Sequence, residues 1–354
     1  MTELRYGWTT GACATAATTA AYTALLTGRF PDPVEVLLPK GRRPSFALAT
    51  ETLGDGVASA GVVKDAGDDP DVTHGALIVS TVRAGEPGSG VTFRAGSGVG
   101  TVTLPGLPLP VGEPAINPVP RRLMTEAVER VAREHGGGTD VVVEISIPDG
   151  EEMARHTWNP RLGIVGGLSV LGTTGVVVPY SCSAWIDSIR RGVDVARALG
   201  HTHVAGAVGS TSERVVAELY GLPETALLDM GDFAGAVLKY LRRHPVPRLT
   251  LAGGFAKLSK LAAGHLDLHS KRSQVDLGLL AELAEGAGRP RLAVSVRQAN
   301  TALHALELAQ AEGVPLGDLV AERARRTAAG VLGDAPVTVD VVAVDRAGTI
   351  VGRA

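Results

Sequence analysis

The sequence predicts a two-domain α/β protein: a sheet-rich α+β portion over residues 1–148, and a Rossmann-like portion with a parallel sheet over residues 160–354. Three observations predict it. A chain of 354 residues is long enough for about two domains, each with its own core. A hydrophobic content of 45%, with 45 glycines and only 4% aromatics, suits close-packed α/β layers. The pattern also changes at Pro148–Pro160, from short strands broken by Gly and Pro to a regular alternation of strands and helices.

Taken in order, residues 12–27 predict a helix, with Thr10 as N-cap, an alanine-rich interior and Gly28 as the stop. Strands follow at 34–38, 46–51, 57–63, 76–83, 91–94 and 99–104. Six prolines between Pro105 and Pro120 then make a long, stiff loop of the kind that often carries function. A helix from Pro120 to His135 and a strand at 141–147 complete the first portion. The polar segment Pro148–Pro160 is the expected domain boundary.

After it come a strand at 162–171, a helix at 183–199, a strand at 203–208 and a helix at 212–220. The alternation continues with 226–229 and 249–252 as strands and 232–243 and 255–263 as helices. Such a succession predicts a parallel sheet covered by helices, with ligands held beyond the carboxyl ends of the strands. Those ends carry Gly172-Thr173-Thr174-Gly175, Gly209-Ser210-Thr211-Ser212, Gly231-Asp232-Phe233 and Gly253-Gly254-Phe255, four loops expected to converge on one crevice.

Composition excludes several classes. With 34 basic and 37 acidic residues the chain has no global field for DNA, RNA or an anionic membrane. No secretory signal stands at residues 1–8, and no apolar run reaches the roughly 18 residues a membrane span needs, so a cytoplasmic protein is expected. The two cysteines, Cys13 and Cys182, form neither a zinc spacing nor a disulfide framework, and no protein metal site is expected. Dinucleotide, phosphate-loop and nucleophile-elbow signatures are absent. Homo-oligomerisation is left open.

Four features stand out locally. The run 159–175 is apolar, crowded with glycines and closed by Thr-Thr-Gly, as a strand delivering a ligand loop would be. A second Thr-Thr-Gly at 9–11 opens the first helix, so two polar sites facing one cleft are expected, although such clusters also serve as plain turns. Four aspartates crowd into 65–71; they suit cation binding, proton handling or a solvated turn, and they miss the EF-hand spacing. Basic doublets at 42–43, 121–122, 190–191, 242–243, 271–272 and 325–326 read as helix ends, with a minority available to a polycarboxylate. Cys13, near a helix start, is either an activated thiol or a small buried residue.

Together, residues 6–13, 62–75, 96–101, 112–121, 159–175 and 257–270 resemble the cobalt-precorrin-5B (carbon-1) methyltransferase family of anaerobic cobalamin biosynthesis. The resemblance spans most of the chain. It departs at Asp232, where the pattern leads one to expect Asn.

The resemblance implies transfer of a methyl group from S-adenosyl-L-methionine to carbon 1 of a cobalt-containing, ring-contracted tetrapyrrole, giving cobalt-precorrin-6A, with the cobalt carried by the substrate. On this reading Gly167, Gly172, Thr173, Thr174, Gly209 and Ser210 hold the methyl donor, with Asp229 at a strand end available to its ribose or amino group. Thr9, Thr10, Lys64, Asp68, Asp69 and Arg121 serve the substrate, and Asp65 and His74 handle protons. Two rivals stand beside it: a non-catalytic tetrapyrrole-binding protein of the same pathway, and an oxidoreductase with a divergent Rossmann-like domain.

Overall fold

The computed structural model describes residues 4–354, so the opening residues invoked above at positions 1–3 lie outside the described residues. The chain divides into two compact units, the first ending at Cys182 and the second covering Ser183–Ala354. The division thus falls later than the expected connector at Pro148–Pro160. Strand pairing is the reason: Ile164–Val165 pairs with Thr101–Val102, Gly167–Leu168 with Gly98–Val99, and Val176–Val177 with Gly7–Trp8. The strand expected over 162–171 is two short pieces separated at Gly166, whose φ of 86° turns the chain. Both pieces belong to the first unit, not to the parallel sheet.

The first unit holds a five-stranded sheet in the order Thr50–Gly54, Val57–Val63, Leu77–Ala84, Val141–Ser146, Val91–Ala95. All neighbours are antiparallel except the last pair. Alternate residues of Leu77–Ala84 and Val141–Ser146 are buried, the period-two pattern of a sheet packed on one face. Against that face lies the helix Thr10–Thr27, almost wholly buried and flanked by the helix Pro118–His135. Small side chains let the helix sink in, and the hydroxyls of Thr15, Thr18 and Thr19 donate back to carbonyls four residues earlier, so its buried polar groups are satisfied. The cap is Thr9, one residue before the expected Thr10; its Oγ1 accepts the Ala12 N–H at 3.2 Å.

The second unit holds a sheet in the order Leu227–Asp229, His203–Ala207, Arg248–Gly254, Thr338–Val344, Ile350–Arg353, with the first four strands parallel and the last antiparallel. Helix Ser210–Tyr220 covers one face, setting Val215 and Val216 on Ala205, Ala252 and Val342. The other face buries Val204, Leu249, Leu251 and Val341 beneath helices Ser183–Ala198, Ala234–Leu241, Phe255–Ala262 and Leu316–Leu332. The chain leaves His203–Ala207 toward one edge and returns at Arg248–Gly254 on the other side. This reversal of strand order opens a crevice at the carboxyl ends of those two strands.

Candidate functional site

A cavity of about 420 Å³ occupies that crevice, lined by residues from the ends of three parallel strands. Val208–Ser212 follow the strand His203–Ala207, Gly254–Lys257 follow Arg248–Gly254, and Val344–Arg346 follow Thr338–Val344, while Leu303 and Leu306 close an apolar wall. The volume lies within the roughly 300–1,000 Å³ typical of small-ligand sites. Two helices, Ser210–Tyr220 and Phe255–Ala262, begin at its edge, each capped by a glycine with no side-chain oxygen to hold the first-turn N–H groups.

Those two glycines are informative because the fold does not need them. Gly209 is fully extended (φ −174°) and Gly254 has φ −62°, backbone that any residue adopts. A Cβ built at either would meet no atom within 4 Å. Both line the cavity, so the missing side chains keep space open there.

The cationic side of the cavity is Lys257 with Arg346. The Lys257 ammonium pairs with Asp232 and donates to the Leu268 carbonyl at 3.2 Å. Lys260, only 5% exposed, donates to the same carbonyl at 3.0 Å. Burial, and then the neighbouring Lys257 charge, push the Lys260 pKa down. Asp345 accepts the Thr349 N–H at 2.8 Å; burial would raise its carboxyl, but this and other hydrogen bonds within its own turn hold it below the usual range.

In the first unit the aspartate-rich loop folds back on residues 5–8. Arg5 grips Asp65 with both guanidinium nitrogens and Asp68 accepts the Arg5 backbone N–H at 2.7 Å. The Arg5 hydrogen bonds, followed by the Gly67 N–H, hold the Asp65 carboxyl below its ordinary pKa. His74 Nδ1 accepts the Ala66 N–H at 3.1 Å and stands 3.9 Å from Asp65. The neutral ring therefore carries its proton on Nε2. Lys64 is buried with Asp71 and Thr73: burial would raise the Asp71 carboxyl, yet the ammonium and these hydrogen bonds keep it low. Asp69 accepts the Tyr180 N–H at 2.7 Å.

The structure thus brings Asp65 and His74 together, while the polar groups of Lys64, Asp68 and Asp69 are spent on holding the loop. Arg121 pins the proline-rich loop, reaching the Ile116 carbonyl at 2.8 Å and Glu113 at 2.9 Å over the Phe93 ring. The two Thr-Thr-Gly turns form one junction in the first unit: Thr9 N–H meets the Gly175 carbonyl, and Gly11 N–H the Leu171 carbonyl, both at 3.0 Å. Thr10 is the buried first residue of the helix, Thr174 closes a local turn onto Val176, and Thr173 is exposed. A Cβ on Gly172 would collide with the Thr9 side chain, and one on Gly167 with the Gly98 backbone, so both glycines are demanded by packing.

Of the residues expected to hold the donor, Gly209, Ser210 and Asp229 lie in the second unit and only the first two line the cavity. Asp229 ends the edge strand, its carboxylate accepting the Gly231 N–H at 3.2 Å and its carbonyl the Trp185 indole. Gly172-Thr173-Thr174-Gly175 is not among the residues lining this cavity; it lies in the first unit, between the paired strand pieces Gly167–Leu168 and Val176–Val177. Sequence reasoning placed the Gly253-Gly254-Phe255 loop at a crevice, and Gly254 and Phe255 do line the cavity, but it missed Lys257, Asp345 and Arg346; the usable signal was a lysine three residues after the paired strand-end glycines. Burial lifts the Cys13 thiol to about 12, so it packs as a small hydrophobe. In the doublets at 42–43, 121–122, 190–191, 271–272 and 325–326, at least one arginine forms an ion pair with a nearby carboxylate. No group of metal-holding side chains and no helix able to cross a membrane occurs among the described residues.

Fold and pocket together define an α/β protein with a strand-end cavity of small-ligand size. The particular family follows from comparison: the CbiD family model matches residues 1–179 and the CbiD C-terminal domain model residues 267–354, and the chain belongs to this family. The chain is 64% identical over 352 residues to the cobalt-precorrin-5B C(1)-methyltransferase of Brucella anthropi, covering 99% of this chain and 96% of that one. The protein of the same name from Brucella canis is 63% identical over the same length. The crystal structure of the cobalamin biosynthesis protein (cbiD) from Archaeoglobus fulgidus is similar at 25% identity with a TM-score of 0.40, covering 88% of this chain and 85% of that one.

Proposed function

We infer that this chain is an S-adenosylmethionine-dependent C-methyltransferase that methylates carbon 1 of cobalt-precorrin-5B, giving cobalt-precorrin-6A in anaerobic cobalamin biosynthesis. The names of relatives 63–64% identical over nearly the whole chain support the reaction. The observation that carries the donor site is the strand-end cavity of the second unit, where Gly209 and Gly254 leave room that no protein atom needs. The parallel sheet with helices on both faces supports a Rossmann-like reading of that unit.

Bound S-adenosylmethionine supplies a methyl group on a positively charged sulfur, and the electron pair of the carbon attacked makes the new bond. The chain's task is alignment. Phe255, Leu303, Leu306 and Val344 give the cavity apolar walls, and the strand ends fix the donor's position. Holding two reactants in a near-attack geometry contributes up to about 7–11 kcal/mol toward lowering a barrier, so no nucleophilic side chain is required. The first unit is the substrate side in this reading. There the half-exposed His74, held in place by the Ala66 N–H on its Nδ1, takes part in the proton transfers of ring tautomerisation, with Asp65 3.9 Å away as its carboxylate neighbour.

Anoxic incubation with S-adenosylmethionine and cobalt-precorrin-5B tests this. Equal amounts of S-adenosylhomocysteine and methylated corrinoid are expected; corrinoid binding with no S-adenosylhomocysteine would establish the carrier instead. His74→Gln should slow methylation by about 10²-fold while leaving the melting temperature unchanged. Equal losses in rate and stability would reduce His74 to a turn-pinning residue.

A further inference from the structure

The charge balance around the strand-end cavity favours an anion. Lys257 lines it directly, and its ammonium and that of Lys260 share a single carbonyl, Leu268. Asp232 is the carboxylate bonded to Lys257. Asp267, which also acts on Lys260, is engaged by Arg272 and by the His269 N–H. Arg346, which also lines the cavity, makes no ion pair among the described residues, and Asp345 turns its carboxylate to the Thr349 N–H. The first-turn N–H groups of helices Ser210–Tyr220 and Phe255–Ala262 add partial positive charge at the same edge. The open Cβ positions of Gly209 and Gly254 independently mark this edge as space kept for a ligand.

We propose that Lys257 and Arg346 form a carboxylate-recognising pole of this cavity and bind the α-carboxylate of the methionine moiety of the donor. The inference rests on the reading that the cavity takes the donor. Asp232 is then a positioning residue: by pairing with Lys257 it holds the ammonium at the wall of the cavity and keeps two neighbouring lysines from repelling each other without compensation.

Two probes separate this pole from the rest of the site: S-adenosylhomocysteine carries the carboxylate, and 5′-methylthioadenosine lacks it. Calorimetric titration of the full chain is expected to show S-adenosylhomocysteine bound about tenfold or more tighter, the difference that one charge-assisted contact makes. Lys257→Met should weaken S-adenosylhomocysteine by about tenfold and leave 5′-methylthioadenosine unchanged. Arg346→Gln, at an exposed position that does not threaten folding, should act in the same direction. Equal affinity of the wild-type chain for both probes, or equal loss of both in the variants, would overturn the carboxylate pole while sparing the donor site. Failure of both probes to bind the wild-type chain would overturn the donor site and the pole with it.

Discussion

In the first unit Gly98, Gly150 and Gly167 stand backbone against backbone, and a Cβ on any of them would collide with main-chain atoms of a neighbouring segment. In the second, Gly209 and Gly254 line a cavity, adopt backbone open to every residue, and face no protein atom within 4 Å. Glycine serves closure in one place and leaves a vacancy in the other. The difference teaches that a glycine-rich run reports a ligand loop only when the space beside its Cα atoms is empty.

The largest effects should come from the crowded set. Gly98→Ala and Gly167→Ala force a methyl into backbone, and Gly98 also has a φ of 73° that disfavours any side chain. Each is expected to cost roughly 4 kcal/mol or more, read as a fall in the midpoint of urea unfolding. Stability within about 0.5 kcal/mol of the parent would break the comparison on this side.

The open set should behave oppositely. Asn is a favoured helix N-cap, so Gly209→Asn and Gly254→Asn should leave stability within about 1 kcal/mol of the parent or raise it. The same side chains fill the cavity, and S-adenosylhomocysteine affinity is expected to fall about tenfold or more, each tenfold being about 1.4 kcal/mol. Unchanged affinity would show that the empty space at these glycines has no ligand.

The smallest effect concerns Asp65, where function and stability should separate. Its folded pKa lies below the ordinary carboxylate range, chiefly through the Arg5 hydrogen bonds. A depressed carboxyl pKa stabilises the fold above the unfolded value, and that contribution is lost as pH falls through the folded one. Because both side chains are substantially exposed, Asp65→Asn should cost under about 1 kcal/mol at pH 7. The variant and parent should converge as the solution is acidified below the ordinary carboxylate range, measured by urea midpoints from pH 7 to 3. A gap that persists in acid would assign the loss to packing.

Much of the second unit was legible because its strands are short apolar runs punctuated by Gly between helical segments, a pattern that buried parallel strands impose. Helices Leu277–Gly286 through Leu316–Leu332, with strands Thr338–Val344 and Ile350–Arg353, were not read. The run 159–175 misled because composition reveals a glycine but not what a Cβ there would touch. Likewise the aspartates of 65–71 are alike in sequence. Long-range pairing gives Asp65 to Arg5 and Asp69 to the Tyr180 backbone, while the fold of the loop itself gives Asp71 to Lys64. Lys257 was visible near Gly253-Gly254, yet its role required the register that places three strand ends around one cavity.

The central claim is that open glycines, not crowded ones, mark where the donor binds. A crystal structure with S-adenosylhomocysteine tests it most directly. The account predicts the nucleoside in the second unit, against Gly209 and Gly254 with its carboxylate toward Lys257. Density beside Thr9 and the loop Gly172–Gly175 of the first unit would contradict it.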